Sequence, residues 1–230
     1  MFNVPQIVVV LIASFIVVHL LRQWVSSATD EWIVLRFAFS AGRYITLFGG
    51  QGEFFPGGTG AAVWSFFSHM FLHGSWEHLL INSFWMLAFG SVVARRFGGV
   101  RFLLFSLIAA ACGALANLIV YWGEYNLMIG ASGAIAGQMA AAVRLMYSAP
   151  GGLSGLQTTD FSNVRVLNLA QLLQVRGAVL FLVIWVVLNL VFGISGFGTG
   201  GGIARIAWEA HLGGFAGGLL LFGLFDPRNP

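Results

Sequence analysis

The chain has 230 residues, of which 58% are hydrophobic and only 8% charged, with a mean hydropathy of +0.87. Soluble domains carry a charged fraction of ~25%, so an ordinary water-soluble fold is excluded. The formal charge of +3, carried by eleven Arg and no Lys, is too small and too scattered for a nucleic-acid partner. A single Cys, Cys112, excludes a disulfide framework and any Cys-based metal site, and its apolar surroundings point to core packing.

In chain order the sequence predicts six membrane spans, each drawing on ~20 apolar residues. The first covers residues 4–24; it is too long, and lacks the basic leading segment, for a signal peptide. A polar stretch from Ser26 to Gly60 follows, with Asp30, Glu31, Arg36, Arg43 and Glu53. The remaining spans are 77–93, 102–122, 132–147, 178–192 and 207–225. Between the fourth and fifth, residues 148–176 mix Gly, Ser, Thr, Asn and Gln around one amphipathic piece, Val164 to Val175. No solenoid repeat and no second soluble domain is visible, so the expected organisation is one all-α transmembrane domain over residues 1–230.

Arg placement predicts the orientation. A cytoplasmic N-terminus puts Arg95, Arg96, Arg101, Arg144, Arg165, Arg176 and Arg228 inside, with Arg36, Arg43 and Arg205 opposite. Trp24, Trp32, Trp64, Trp76 and Trp122 then fit an aromatic belt at the outer interface.

Two short motifs stand out against this apolar background. Ser132 in Gly130-Ala131-Ser132-Gly133 and His211 in Ala210-His211-Leu212-Gly213-Gly214 each open a span. Ser132 precedes Arg144 by 12 residues and His211 precedes Asp226 by 15. At 1.5 Å per residue, in a hydrocarbon core ~30 Å thick, both fall roughly 8–12 Å below the outer surface on parallel helices. Gly133 and Gly137, Gly213 and Gly217, and Gly214 and Gly218 are each spaced four apart, which lets membrane helices meet backbone to backbone.

A serine and an imidazole at one depth suit acyl transfer. Ser132 would be the nucleophile at a helix start, whose N–H groups favour an oxyanion, and His211 the base. Glu209 lies on another helix face from His211, so the expectation is a dyad with no carboxylate third member. His78 and Asn82, spaced i, i+4 near the outer end of the second span, are suitable oxyanion donors. Asn117 and Asn189 are expected to form interhelical hydrogen bonds with no catalytic part, and His19 is expected to be inert.

Phe71-Leu72-His73-Gly74-Ser75-Trp76-Glu77-His78-Leu79-Leu80-Ile81-Asn82, Gly130-Ala131-Ser132-Gly133 and Ala210-His211-Leu212-Gly213-Gly214 together resemble the rhomboid intramembrane serine proteases. The motifs occur in order on the second, fourth and sixth spans. The resemblance implies a basic six-helix bacterial type in the inner membrane, with Ser132 and His211 as dyad. It also implies an oxyanion hole from His78, Asn82 and the Ser132 N–H, and transmembrane proteins as substrates, with no cofactor or metal. Residues 26–60 would be a membrane-embedded first loop, and the fifth span with Gly193 to Gly202 the lateral gate and cap. Two positions depart from the family pattern. Ser65 follows Trp64 where many members have Arg, and Ala136 stands where members often carry an aromatic that packs on the imidazole, a role that would pass to Trp208 or Trp185.

Competing readings are weaker. A metalloprotease would show His-Glu-x-x-His, absent around His69, His73 and His78. An aspartyl protease needs two Asp inside spans, whereas Asp30, Asp160 and Asp226 lie outside them. A transporter would show inverted repeats. The alternative of another class is a non-catalytic rhomboid-like binder of transmembrane helices, which usually lacks the nucleophile or the base.

Overall fold

A computed structural model of the chain describes residues 4–52, 54–149, 161, 164–195 and 207–228. It is an all-α membrane bundle; among the described residues the only extended pairing is one antiparallel bridge, Phe39 with Met128.

The first expected span is α1 (Gln6–Gln23). Within the polar stretch and just beyond it the chain folds into three short helices, α2 (Ser27–Phe37), α3 (Gly42–Leu47) and α4 (Gly58–Ser68), then a 3₁₀ turn at His69–Phe71. Such short helices are not stable alone and need tethers. Ser26 caps α2 by accepting from the Thr29 N–H at 3.2 Å. The buried Arg43 guanidinium donates to the Leu35 and Pro56 carbonyls at 2.6 and 3.1 Å, tying α3 to the segments on both sides. Arg22 at the end of α1 pairs with Asp30 at 2.6 Å and donates to the His73 carbonyl, so it gathers three segments of the chain.

The second span, Trp76–Phe97, is continuous but not uniform. It comprises α5 (Trp76–Trp85), a π-helical turn at Met86–Gly90 and α6 (Ser91–Phe97). Ser75 caps α5 by accepting from the His78 N–H. The remaining helices are α7 (Gly99–Val120), α8 (Ser132–Ser148), α9 (Leu169–Leu172), α10 (Arg176–Ser195) and α11 (Trp208–Phe225). The amphipathic piece expected over Val164 to Val175 is helical only at α9, where Asn168 and Gln171 form a capping box.

α8 is the central helix, and α7 and α11 pack on it and on each other. Every residue from Gly133 to Met146 is buried. This explains a difference from the six expected spans. Among the described residues, four stretches are long and apolar enough by themselves to cross a membrane: Gln6–Gln23, Trp76–Phe97, Gly99–Val120 and Arg176–Gly193. α8 and α11, the two helices that carry Ser132 and His211, are not among them. α8 is surrounded by protein rather than lipid, so it can hold Gln138 and Arg144 and be rich in Ala and Gly.

Glycine makes the contact between these helices. A Cβ on Gly214 would fall on the Gly133 carbonyl, and one on Gly218 on the Gly137 carbonyl. Gly213 and Gly217 serve a different neighbour: their Cβ positions lie 2.5 Å from the Cys112 carbonyl and 2.7 Å from Cys112 Sγ on α7. The two small-residue stripes of α11 thus face α8 and α7 separately, as close backbone packing requires.

At one end of the bundle Arg96 pairs with Asp226 through two bonds of 2.8 and 2.9 Å, both side chains 2% exposed. Its third nitrogen donates to the Phe161 carbonyl. Arg144, lying over the Phe222 ring, donates to the Leu219 and Leu167 carbonyls at 3.0 Å.

Candidate active site

Ser132 is the first residue of α8, and the turn that delivers it is built around Gly130. Gly130 has φ +113°, a backbone shape that side-chain-bearing residues rarely adopt. A Cβ there would also stand 2.7 Å from His78 Cε1 and Nε2 and 3.6 Å from Asn82 Nδ2. Gly130 therefore differs from Gly133, Gly137, Gly213, Gly214 and Gly217: it lies outside the helix, against the polar pair of α5. Three further backbone bonds fix the approach to Ser132. The Gly130 N–H donates to the His69 carbonyl at 3.0 Å, and the Phe39–Met128 bridge fastens the same segment to the first loop.

Asn82 is 3% exposed, and its Nδ2 has no hydrogen-bond partner among the described residues. A buried amide N–H₂ without an acceptor is costly, so its retention in an apolar helix calls for a reason. His78, half-buried, lies one helical turn before it.

His211 sits in the first turn of α11. Ala210, beside it, turns its carbonyl toward α7 and α8: Cβ positions on Gly113 and Gly133 would stand 2.7 and 3.4 Å from it. Gly133 faces Ala210 and Gly214, while Gly137 faces Gly214 and Gly218, so α8 and α11 run parallel in one register. Ser132 and His211, each adjacent to a residue of that contact, stand at one level. Both are partly accessible.

His211 Nδ1 lies 2.7 Å from Asn189 Oδ1, and Asn189 Nδ2 donates to the Trp208 carbonyl at 2.9 Å. The sequence identifies Asn189 as an interhelical hydrogen-bond former but does not connect it with His211. The available signal was an amide inside an apolar span. Asn117 does bridge helices, donating to Glu209 Oε1 at 2.7 Å. Glu209 is thereby directed at α7, as its separate helix face predicted.

Both departures from the family pattern have counterparts. Beside Trp64 the cation comes from Arg36 of α2, whose guanidinium carbon lies 5.3 Å from the Trp64 ring and 5.0 Å from Trp32. The Trp64 indole N–H donates back to the Arg36 carbonyl at 3.1 Å. Ser65 is fully buried, and its carbonyl is 2.9 Å from His69 Nδ1. Near Ala136, Trp185 stacks on Phe215 at 4.2 Å rather than on the imidazole, and Trp208 contributes its carbonyl through Asn189. The imidazole is held by an amide.

His69 and His73, which precede the second span, are buried. Burial pushes His69 down to about 4 and His73 to about 3, so both stay neutral. His73 packs between Phe15 and His78, with ring centroids 5.2 Å from each. His19, buried, meets Trp76 edge-on at 4.6 Å. Among the described residues no three His, Cys, Asp or Glu side chains converge as a metal would require. Trp24, Trp32, Trp76 and Trp122 are exposed, consistent with a membrane-facing belt. The glycines from 196 to 202 lie outside the described residues.

Residues 60–227 match the family model described as Rhomboid domain. RHOMBOID-like protein 4 and RHOMBOID-like protein 1 of Arabidopsis thaliana are 27% and 28% identical over 175 and 178 residues. Those alignments take in 72% and 73% of this chain but 37% and 38% of the relatives. Rhomboid protease GlpG of Yersinia pestis is 28% identical over 168 residues, 73% of this chain and 49% of that protein. The chain spans less than half the length of these curated relatives.

Proposed function

The chain belongs to the rhomboid family, and from that premise we propose that it is an intramembrane serine endopeptidase working through Ser132 and His211. Its substrates are transmembrane proteins, cut near the outer membrane–water interface. A relative that is a rhomboid protease supports the reading at the level of the family. The observation that carries it further is the convergence at Gly130. One turn starts the serine helix and touches His78 and Asn82, and that helix is keyed through Gly133 to Ala210, the neighbour of His211.

The reaction then runs as acyl transfer. His211 Nε2 takes the proton of Ser132 Oγ as the oxygen attacks the scissile carbonyl carbon. Negative charge develops on the carbonyl oxygen, where Asn82 Nδ2–H, His78 and the Ser132 backbone N–H stabilise it; the start of α8 adds its dipole. Collapse expels the amine, which takes its proton from His211. Water activated by the same imidazole then hydrolyses the acyl-enzyme. A helical substrate keeps its carbonyls hydrogen-bonded, so it must unwind locally first, which favours helix-weakening residues near the cleaved bond.

The wider reading is one domain of six spans in a bacterial inner membrane. The N-terminus is cytoplasmic and the site opens outward, in accord with the Arg distribution. The test needs no substrate. Purified protein in lipid bilayers is treated with a fluorophosphonate, comparing wild type with Ser132→Ala and His211→Ala. Labelling of wild type alone is expected. Folded wild type that stays unlabelled would favour the non-catalytic helix binder.

A further inference from the structure

We infer that Asn189 is the third member of the site, a positioning residue that fixes the tautomer and direction of the His211 imidazole; this deepens the serine-protease reading and rests on it. Donor and acceptor chemistry leaves one assignment. The Trp208 carbonyl can only accept, so the Asn189 atom that faces it at 2.9 Å is the amide nitrogen. The other atom of the same amide is then the oxygen, which also can only accept. It lies 2.7 Å from His211 Nδ1, so Nδ1 carries the proton. The nitrogen left with a free lone pair is Nε2, the atom a serine hydroxyl needs as its base. A neutral amide here does what a carboxylate does in other serine hydrolases and what Asn does beside the imidazole of papain-like proteases.

The anchorage is economical. Trp208 and His211 are three residues apart on α11, so Asn189 bridges two points of the helix that bears the imidazole. The bridge is also the polar link in a contact strip of unusual simplicity. Trp185, Asn189 and Gly193 recur every four residues along one face of α10. They meet Phe215, His211 and Trp208 in turn, with a Cβ on Gly193 landing on Trp208 Cβ. Elsewhere α10 is lightly held, with Val183, Val187 and Val191 more than half exposed. The imidazole's tautomer therefore depends on α10 being seated against α11.

The test replaces Asn189 with Leu, similar in size but unable to accept or donate, and with Ala as a second variant. Fluorophosphonate labelling rates are measured on protein that elutes as folded and melts as wild type does. In parallel, ¹⁵N spectra of histidine-labelled protein are recorded, with His211→Ala identifying the signals of His211. Wild type should show Nδ1 protonated and Nε2 unprotonated. Asn189→Leu should mix the two tautomers and slow labelling by about 10- to 100-fold, the worth of one orienting hydrogen bond. Unchanged labelling in a folded variant overturns the assignment. Slower labelling with the tautomer unchanged also overturns it, because it assigns Asn189 a packing role only. Failure of wild type to label would instead overturn the protease reading, and is told apart from both because the tautomer spectrum does not depend on catalysis.

Discussion

At the Asp226 end of the bundle a buried guanidinium meets a buried carboxylate through two short bonds, and its remaining nitrogen finds a carbonyl. At the Ser132 end the buried Asn82 amide has donors with no acceptor among the described residues, and the half-buried His211 keeps one nitrogen free of its Asn189 bond. Both ends bury polar groups inside an apolar protein, where the cost of leaving them unpaired is high. One end removes that cost by closing its interactions. The other bears it, as the proposed serine-protease function requires, since donors already satisfied by the protein are not available to an oxyanion. The contrast sets closed pairing against open polar groups at opposite ends of the second span and α11.

Mutations can test that contrast, in descending order of effect. Ser132→Ala should reduce turnover by about 10⁵- to 10⁶-fold, as loss of a nucleophile does elsewhere. Its melting temperature should match wild type; residual turnover near the wild-type rate would remove Ser132 from the mechanism. Asp226→Asn should do the reverse, costing about 3–5 kcal/mol of stability by removing the buried negative charge that faces Arg96. Labelling per folded molecule should not change. An Arg96→Met, Asp226→Leu double variant should regain most of the loss, measured by unfolding in detergent. Asn82→Ala should lower kcat by about 10²-fold with little effect on KM. Because its Nδ2 is unpartnered, stability should hold or rise slightly; a large drop in melting temperature would mean that Asn82 is structural. Gly218→Ala, which puts a methyl on the Gly137 carbonyl, should cost about 1–3 kcal/mol and widen the α8–α11 contact. Equal stability of this variant and wild type would show that the helices can slide apart freely.

Much of this arrangement was legible in the sequence because lipid imposes long apolar runs and four-residue glycine spacing reports close approach. Ser132 and His211 could be set at one level from helix rise alone. The first loop was less legible. Its helices are too short to announce themselves by periodicity, and Arg43 holds them through backbone carbonyls that no pattern of side chains reveals. The role of Arg36 beside Trp64 was hidden for a similar reason, since the partners are 28 residues apart and belong to different helices. Asn189 was visible as a polar residue in an apolar span. Its partner was not, because facing across α10 and α11 depends on how both helices are rotated.

The π-helical turn at Met86–Gly90 has a consequence for how the second span can change. It separates Asn82, which belongs to the Ser132 end, from Arg96, which belongs to the Asp226 end. A π turn holds one residue more than the α-helical turn it replaces, and one residue is about 100° of rotation. The two halves of this rod are therefore set to different angular phases. A single-residue deletion within the turn would leave both local sequences intact and swing one half against the other. Either the amide would leave Gly130 or the guanidinium would leave Asp226. For this span, a length change of one residue is more damaging than many substitutions.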